Sequence, residues 1–297
     1  MNEVIRIGTR GSSLALWQAR QVQNMLKTLS LKSELVPISS SGDKELQKPL
    51  YEMGVQGIFT KELDVALLEG QIDVAVHSMK DVPTQLPKGI APAFIPKRGP
   101  AADVFISKDE AWEDSKSIVA TSSLRRAAQW MYKYPHHSTI DIRGNVPTRL
   151  KKLETLGCQG TIMAIAGLMR LEMLPKKHTV LDWMIPAPAQ GALLVTALTS
   201  NKGLMKKVSL LNDDETAFCV AQERIFLRKL EGGCTAPIGA LAKMKDGQVH
   251  FVGSITQKDG KQQLVFDEYM PVEKAHDIGS IAAKELLSRG AKAMLHE

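Results

Sequence analysis

Two stretches of this chain place the same kinds of side chain after an apolar run. Small hydroxyl residues and arginine come first, and a helical pattern follows. One is Thr9-Arg10-Gly11-Ser12-Ser13 and the other is Thr121-Ser122-Ser123-Leu124-Arg125-Arg126. The chemistry such loops offer is anion binding. The first N–H groups of a helix lack intrahelical acceptors, the helix dipole puts partial positive charge there, and serine hydroxyls add donors. Arginine supplies a planar, permanently charged fork suited to carboxylate or phosphate. With Arg143, Arg149 and Arg170 added, the pattern points to a cleft for a polyanion. The plainer alternative is that the serines only cap helices and the arginines lie in water.

A third loop, His77-Ser78-Met79-Lys80-Asp81-Val82-Pro83, carries a carboxylate. At the carboxyl end of a strand, beside an arginine-rich cleft, Asp81 is a candidate to stabilise a cationic intermediate or to exchange protons. The alternative is a turn aspartate before Pro83. A structural role is the expectation for His77, which shares a strand face with Asp73 and Ala75. Of three cysteines, Cys219 falls on a helical stripe with Phe226 and Leu230 and reads as core. Cys158 precedes an apolar strand and reads as buried. Cys234 follows Gly232-Gly233, where the backbone can turn and leave the thiol accessible. It is either a nucleophile or covalent attachment point, or a small residue filling a turn.

Strands alternating with helices must position these loops. Val4 to Thr9, Glu34 to Ile38 and Ile72 to Ser78 read as strands. Between them, Ala15, Ala19, Val22, Leu26 and Leu29 recur at helical spacing, with Ser12 or Ser13 as N-cap. Phe59, Leu63, Ala66 and Leu67 mark another helix, with Gly70 at its C′ position. Pro87, Pro92, Pro96, Gly99 and Pro100 punctuate a crossing to a second domain. There the scheme repeats. Ile118 to Ala120, Thr139 to Ile142 and Thr161 to Ala166 are strands. Leu124, Ala128 and Met131 share a helical face that Pro135 ends, and another helix starts near Pro147. Such alternation predicts mostly parallel sheets covered on both faces, with ligands outside the carboxyl ends of the strands.

Ile185 to Gly191 reads as a second crossing. A helix from about Glu215 to Leu230 follows. Strands are then expected near Gly239–Lys245, Val249–Gln257 and Gln262–Met270, with Asp246-Gly247 and Asp259-Gly260 as hairpin turns. A last helix carries Ile278, Ala282 and Leu286 on one face. The fold class is α/β: two lobes with mixed, mostly parallel sheets and a small C-terminal α+β domain with a three-stranded antiparallel sheet. No sequence repeat is visible.

Composition narrows the function. The 297 residues carry a net charge of +6. Between Ser115 and Leu153 there are eight basic residues and one acid, Asp141, so this window alone holds +7. That is an electrostatic footprint for an anionic partner, or else a solvated basic face. There is neither a Gly-x-x-x-x-Gly-Lys-Ser/Thr nor a Gly-x-Gly-x-x-Gly pattern, which lowers the odds of a nucleotide enzyme. Aromatic residues are only 5%, few for stacking on single-stranded nucleic acid. No apolar run approaches the ~18 residues of a membrane span, and no secretory signal is visible. Three cysteines without a Cys-x-x-Cys pattern indicate a reducing compartment and no structural zinc. A cytoplasmic location, or an organelle stroma for a mature form, is expected.

Taken together, several segments resemble the hydroxymethylbilane synthase, or porphobilinogen deaminase, family of tetrapyrrole biosynthesis. They are RIGTRGSSLALWQA (6–19), ELDVALLEGQIDVAVHSMKDVPT (62–84), VATSSLRRAAQ (119–129), IRGNVPTRL (142–150), AIAGLMRL (164–171), PAPAQGALLV (186–195) and RIFLRKLEGGCTAPIGA (224–240). The likeness covers nearly the whole chain. It implies three domains: 1–98 with 187–211, 99–186, and 212–297. The first two resemble the lobes of periplasmic solute-binding proteins. It implies a transferase that adds four porphobilinogen units in turn, each losing ammonia, to a dipyrromethane cofactor joined by a thioether to Cys234. Water then releases hydroxymethylbilane.

By the same resemblance Asp81 is the catalytic aspartate, bonding pyrrole N–H groups and stabilising the cation left when ammonia departs. Cys234, Arg125, Arg126, Ser123, Lys80, Ser78, Asp81, Arg143 and Gly144 would hold the cofactor. Arg10, Ser12, Gln18, Phe59, Thr121, Arg143, Arg149 and Arg170 would hold the substrate, porphobilinogen, and the growing polypyrrole chain. Neither a metal, a nucleic acid, a membrane nor an obligatory protein partner is expected, and a monomer is. The chain departs from the family's usual pattern at four places. Glu52 and Gln56 stand at two usual lysine positions. Ser40-Ser41 replaces Thr-Arg/Lys, and Pro188-Ala189 replaces Val-Gly. Thr196-Ala197-Leu198 stands where Glu-Cys-Arg is common. The competing readings are a two-lobed polyanion-binding protein without catalysis and an RNA- or polyanion-binding module using residues 115–153.

Overall fold

The computed structural model describes residues 4–39, 60–108, 112–113, 116–230 and 237–296. Phe59, Cys234, Ser40, Ser41, Glu52 and Gln56 lie outside the described residues. The chain divides into two compact units. Within the described residues the first comprises 4–39, 60–99 and 191–217, and the second comprises 100–190 and 218–296.

The first unit is built on a five-stranded sheet. Its strands are β1 (Ile5–Arg10), β2 (Ser33–Ile38), β3 (Val74–Ser78), β4 (Ile90–Phe94) and β10 (Leu193–Leu198), in the order β2-β1-β3-β10-β4. β1 pairs in parallel with β2 and β3, while β10 runs antiparallel to both β3 and β4. Four of the five strands therefore point the same way. Residues 74–77 of β3 are all buried, as in a sheet covered on both faces. The helix Ser13–Thr28 buries Ala15, Ala19, Val22 and Leu26, the spacing of one helical face. Ser12 is its N-cap, its side chain accepting from the Ala15 N–H. Gly8 lies under a second helix, Lys61–Leu68, and beside Ile72; a Cβ there would sit 2.2 Å from Ile72 Cδ1. Gly70, after that helix, has φ +68°, the left-handed C′ geometry that glycine favours.

The second unit holds two sheets. One contains β5 (Asp103–Ser107), β6 (Ile118–Ala120), β7 (Ser138–Ile140), β8 (Gly160–Ala164) and β9 (Thr179–Val180), in the order β7-β6-β8-β5-β9. β6 is parallel to β7 and β8, and β5 is antiparallel to β8 and β9. This repeats the order and directions of the first sheet strand for strand. The one reversed strand is β10 there and β5 here. Each is the first strand after a crossing, so the repetition is one of topology with no repeat in sequence. Phe105, Trp112, Trp130, Tyr134 and Trp183 pack together on this sheet, with Trp112 and Trp130 centroids 5.2 Å apart.

The helix Leu124–Lys133 differs from the sequence expectation. Leu124 and Met131 are only half-buried, and the inward residues are Arg125, Arg126, Ala128, Gln129 and Trp130. The reason is a buried carboxylate, Asp103, which turns the two arginines inward. The strand expected over Thr139 to Ile142 is limited to Ser138–Ile140.

The third sheet is antiparallel, formed by β11 (Ile238–Lys245), β12 (Gln248–Thr256) and β13 (Gln263–Pro271). Asp246 and Gly247 have φ +52° and +73°, the tight hairpin that the Asp-Gly pair forms. Its core joins Cys219, Phe226 and Leu230 to Ile278, Ala282 and Leu286, all as the periodicity predicted. Cys158 is also buried.

Candidate functional site

Because β1 and β3 are parallel neighbours, the loops that follow them emerge at one edge of the first sheet. They surround a pocket of about 90 Å³ lined by Arg10, Ser12, Gln18, His77, Ser78 and Asp81, with Thr60 also on its wall. Gln18 Nε2 donates to Ser78 Oγ at 2.8 Å, tying the first helix to the third loop. A single 3-10 turn, Met79–Asp81, follows β3. Its Met79 is buried, the Met79 N–H donates to the Ala192 carbonyl at 3.1 Å, and Asp81 is left half-buried at the pocket. Lys80 is half-buried on the same turn.

Two ionisable groups, His77 on the pocket wall and Asp64 next to Thr60, have shifted pKa values. His77 is buried, and its Nε2 lies 3.2 Å from Thr196 Oγ1 on β10. Burial first, and the Arg10 charge second, push its pKa down to about 4. It is therefore a neutral imidazole near pH 7. Asp64 is buried behind Thr60, and burial raises its pKa to about 6 against the opposing hydrogen bond from Thr60.

In the second unit, β7, β6 and β8 are parallel, so Thr121–Ser123, Arg143–Asn145 and the helix Ile165–Arg170 follow strand ends at one edge. The Ser123 side chain caps the helix Leu124–Lys133, accepting from the Arg126 N–H. Thr121 is buried, its Oγ1 accepting from the Ser123 N–H at 3.3 Å. Ser122, which sequence reasoning did not single out, both donates to the Ile142 carbonyl and accepts from the Ile142 N–H, each at 2.9 Å. It thereby joins the Thr121 loop to the Arg143 loop. Arg149 Nε donates to the Gly144 carbonyl at 2.8 Å. Gly144 itself has φ +119°. Arg170 ends its helix with its guanidinium pushed below its usual pKa by burial.

Arg125 and Arg126 are both buried and share one carboxylate. Arg126 Nη2 and Nε donate to Asp103 Oδ1 at 2.7 and 3.0 Å, and Arg125 Nη2 donates to Oδ2 at 2.8 Å. Asp103 and its third partner, Gln190, were not legible as site residues. Asp103 lies 22 and 23 residues from the arginines, beyond any helical or strand spacing. Arg125 Nε and Arg143 Nη1 are buried polar atoms without a hydrogen-bond partner among the described residues.

The fold and these loops define an α/β protein with cationic, helix-initiating loops at the ends of parallel strands, and with an aspartate set among them in one unit. Two family models match: "Porphobilinogen deaminase, dipyromethane cofactor binding domain" over residues 5–206 and "Porphobilinogen deaminase, C-terminal domain" over residues 217–288. The porphobilinogen deaminase of Syntrophotalea carbinolica is 40% identical over 301 residues, covering 99% of this chain and 96% of that one. The chloroplastic porphobilinogen deaminase of Oryza sativa subsp. japonica is 45% identical over 270 residues, covering 86% and 75%. The chain belongs to the porphobilinogen deaminase family.

Similar solved structures include a methionine binding protein, at 16% identity and a TM-score of 0.45, covering 74% of this chain and 96% of that one. Another is a periplasmic domain of Bordetella pertussis BvgS, at 12% identity and 0.42, covering 72% and 90%. Among the described residues no helix is long and apolar enough to cross a membrane.

Proposed function

We propose that this chain condenses four porphobilinogen molecules head to tail, releasing ammonia at each addition, and frees the product hydroxymethylbilane with water. The observation that carries this reading is the convergence of Arg10, Ser12, Gln18, Ser78 and Asp81 on one small pocket. Each porphobilinogen carries an acetate and a propionate. Arg10 supplies the counter-charge, and Ser12 and the Gln18–Ser78 pair supply hydrogen bonds that fix the ring. Asp81 accepts the pyrrole N–H and holds negative charge beside the carbon from which the amine leaves. In a partly dry pocket a charge contact of this kind is worth about 4 kcal/mol at 4 Å.

The second unit fits an acidic dipyrromethane. Arg125 Nε and Arg143 Nη1 are donors without acceptors, and the surrounding loops are cationic. Arg125, Arg126, Ser123, Arg143 and Gly144 would hold it there; the family resemblance adds Ser78, Lys80 and Asp81 as cofactor ligands and Cys234 as the covalent anchor. When bound, the cofactor supplies the nucleophilic pyrrole end to which the first substrate is added. Thr121, Arg149 and Arg170, with Phe59, would bind carboxylates of the growing chain. On this reading residues 1–98 with 187–211, 99–186 and 212–297 act as three domains. The protein works as a monomer in the cytoplasm or an organelle stroma, and needs neither nucleic acid, a membrane nor another protein.

The test is intact mass under denaturing conditions beside a Cys234→Ser variant, followed by an ammonia-release assay with porphobilinogen. A two-pyrrole excess absent from the variant, with ammonia release, is the expected result. A wild-type chain that stays unmodified after incubation with preformed hydroxymethylbilane, and releases no ammonia, would overturn the reading in favour of a polyanion-binding protein.

A further inference from the structure

The reversed strand of the second unit has a consequence for its arginines. β5 runs against β8, with Asp103 opposite Ala164. Its first residue therefore lies at the edge where the parallel strands end and the binding loops begin. Asp103 is fully buried. Its Oδ1 accepts from Arg126 Nε, Arg126 Nη2 and Gln190 Nε2, the last at 3.0 Å, and its Oδ2 accepts from Arg125 Nη2. Gln190 also donates to the Ala101 carbonyl at 2.7 Å, fixing the backbone just before Asp103.

The two arginines are used differently. Arg126 spends Nε and Nη2 on Asp103 and Nη1 on the Ile162 carbonyl. Arg125 is pinned at both ends of its fork, Nη1 on the Ile185 carbonyl at 2.9 Å and Nη2 on Asp103, with Nε buried and lacking an acceptor. Among the described residues Asp103 is the only carboxylate paired with either. The cluster thus buries two positive charges against one negative. A buried excess charge is costly unless a counter-ion completes it.

We propose that Asp103 is a positioning residue, a buried template that pins Arg125 and Arg126 and leaves the Nε edge of Arg125, with one net positive charge, ready for a carboxylate of the dipyrromethane. This rests on the cofactor reading above. Asp103 touches neither cofactor nor substrate, since its oxygens are occupied by the protein. An amide in its place would turn an N–H₂ toward one of the guanidinium groups, which has only donors to offer it. Arg125 or Arg126 would then swing away from its present geometry.

The experiment measures loading of the full chain. Wild type, Asp103→Asn, Asp103→Glu and Arg125→Met are purified, checked for native near-UV circular dichroism, and weighed intact before and during incubation with preformed hydroxymethylbilane. Asp103→Asn is expected to fold and to acquire the two-pyrrole mass at least tenfold more slowly than wild type. Asp103→Glu, which keeps the charge and both acceptor oxygens, is expected to load at least threefold faster than Asp103→Asn even where its overpacked side chain lowers Tm further. A purely structural role would make loading follow Tm instead. A folded Asp103→Asn chain that loads within twofold of wild type overturns the proposal, as do equal rates for Asn and Glu. Failure of Asp103→Asn to fold makes Asp103 a residue of folding and overturns it as well. Arg125→Met separates the two levels. If it also loads normally, the assignment of Arg125 to the cofactor fails. If it alone does not load, only the role of Asp103 fails.

Discussion

His77 Nε2 lies 3.2 Å from the hydroxyl of Thr196, on the antiparallel strand beside it. This chain offers the buried imidazole a neutral partner. Nothing in that contact rewards protonation, and burial together with Arg10 holds the ring neutral down to about pH 4.

This sets a pH dependence of stability in which two groups oppose each other. An unfolded histidine titrates near 6.5, so between pH 6.5 and 4 the unfolded chain binds a proton that the folded one refuses. The His77 contribution is present above pH 6.5 and lost as pH falls. Asp64 has the opposite sign. Its folded pKa of about 6 lies above the ordinary carboxyl value of 3.8, so its contribution is present at low pH and lost as pH rises through 6. Each is worth about 3 kcal/mol across its window, and together they leave stability nearly level from pH 4 to 6. Urea unfolding at pH 4.5, 5.5 and 6.5 is expected to show a rising slope with pH in Asp64→Asn and a falling slope in His77→Gln. The same slope in wild type and both variants would contradict these shifts.

Asp81 stands on a 3-10 turn fixed by the Met79 N–H and by the buried Met79 side chain, and it is only half-buried itself. Its carboxylate can therefore be neutralised without disturbing the sheet. Asp81→Asn is expected to lower ammonia release from porphobilinogen by about 100-fold or more, with Tm within about 2 °C of wild type. Turnover within a few-fold of wild type would remove Asp81 from the chemistry. A large fall in Tm would assign it to folding.

The sequence exposed those parts of the fold that depend on near neighbours. Ser12 and Ser123 cap helices whose N–H groups lie three residues away, and Asp246-Gly247 closes a hairpin within its own turn. The periodicity of Ile278, Ala282 and Leu286 marks a core face because the helix repeats in the same short window. The pocket residues were legible one loop at a time, and parallel pairing of β1 with β3 brings those loops to one edge. What stayed hidden depends on distant partners. Arg125 and Arg126 look solvent-bound on a helical wheel, because the carboxylate that turns them inward arrives from a strand before the preceding loop. The role of Ser122 was hidden for the same reason, since Ile142 is 20 residues away. The shared order of the two five-stranded sheets was invisible because only backbone direction repeats.

The loop that carries Arg143 and Arg149 depends on a conformation that only glycine adopts without strain. Gly144 has φ +119°, and a Cβ there would lie 2.7 Å from Thr148 Cγ2 and 2.8 Å from Thr148 Cβ. The second atom cannot turn away, because it is fixed to the helix backbone. The Gly144 carbonyl accepts from Arg149 Nε, and the next residue, Asn145, caps the helix Val146–Thr155 by accepting from the Thr148 N–H at 3.0 Å. A side chain at position 144 must therefore shift both arginines relative to Ser122 and Thr121. Gly144→Ala is expected to raise KM for porphobilinogen about tenfold, equivalent to about 1.4 kcal/mol of lost binding, while kcat falls less. Asn145→Ala, which removes the cap and leaves residue 144 as glycine, is expected to cost about 1 kcal/mol of stability with a smaller change in KM. Steady-state kinetics beside urea unfolding separates the two. A Gly144→Ala enzyme with unchanged KM would show that the position of this loop does not govern substrate binding.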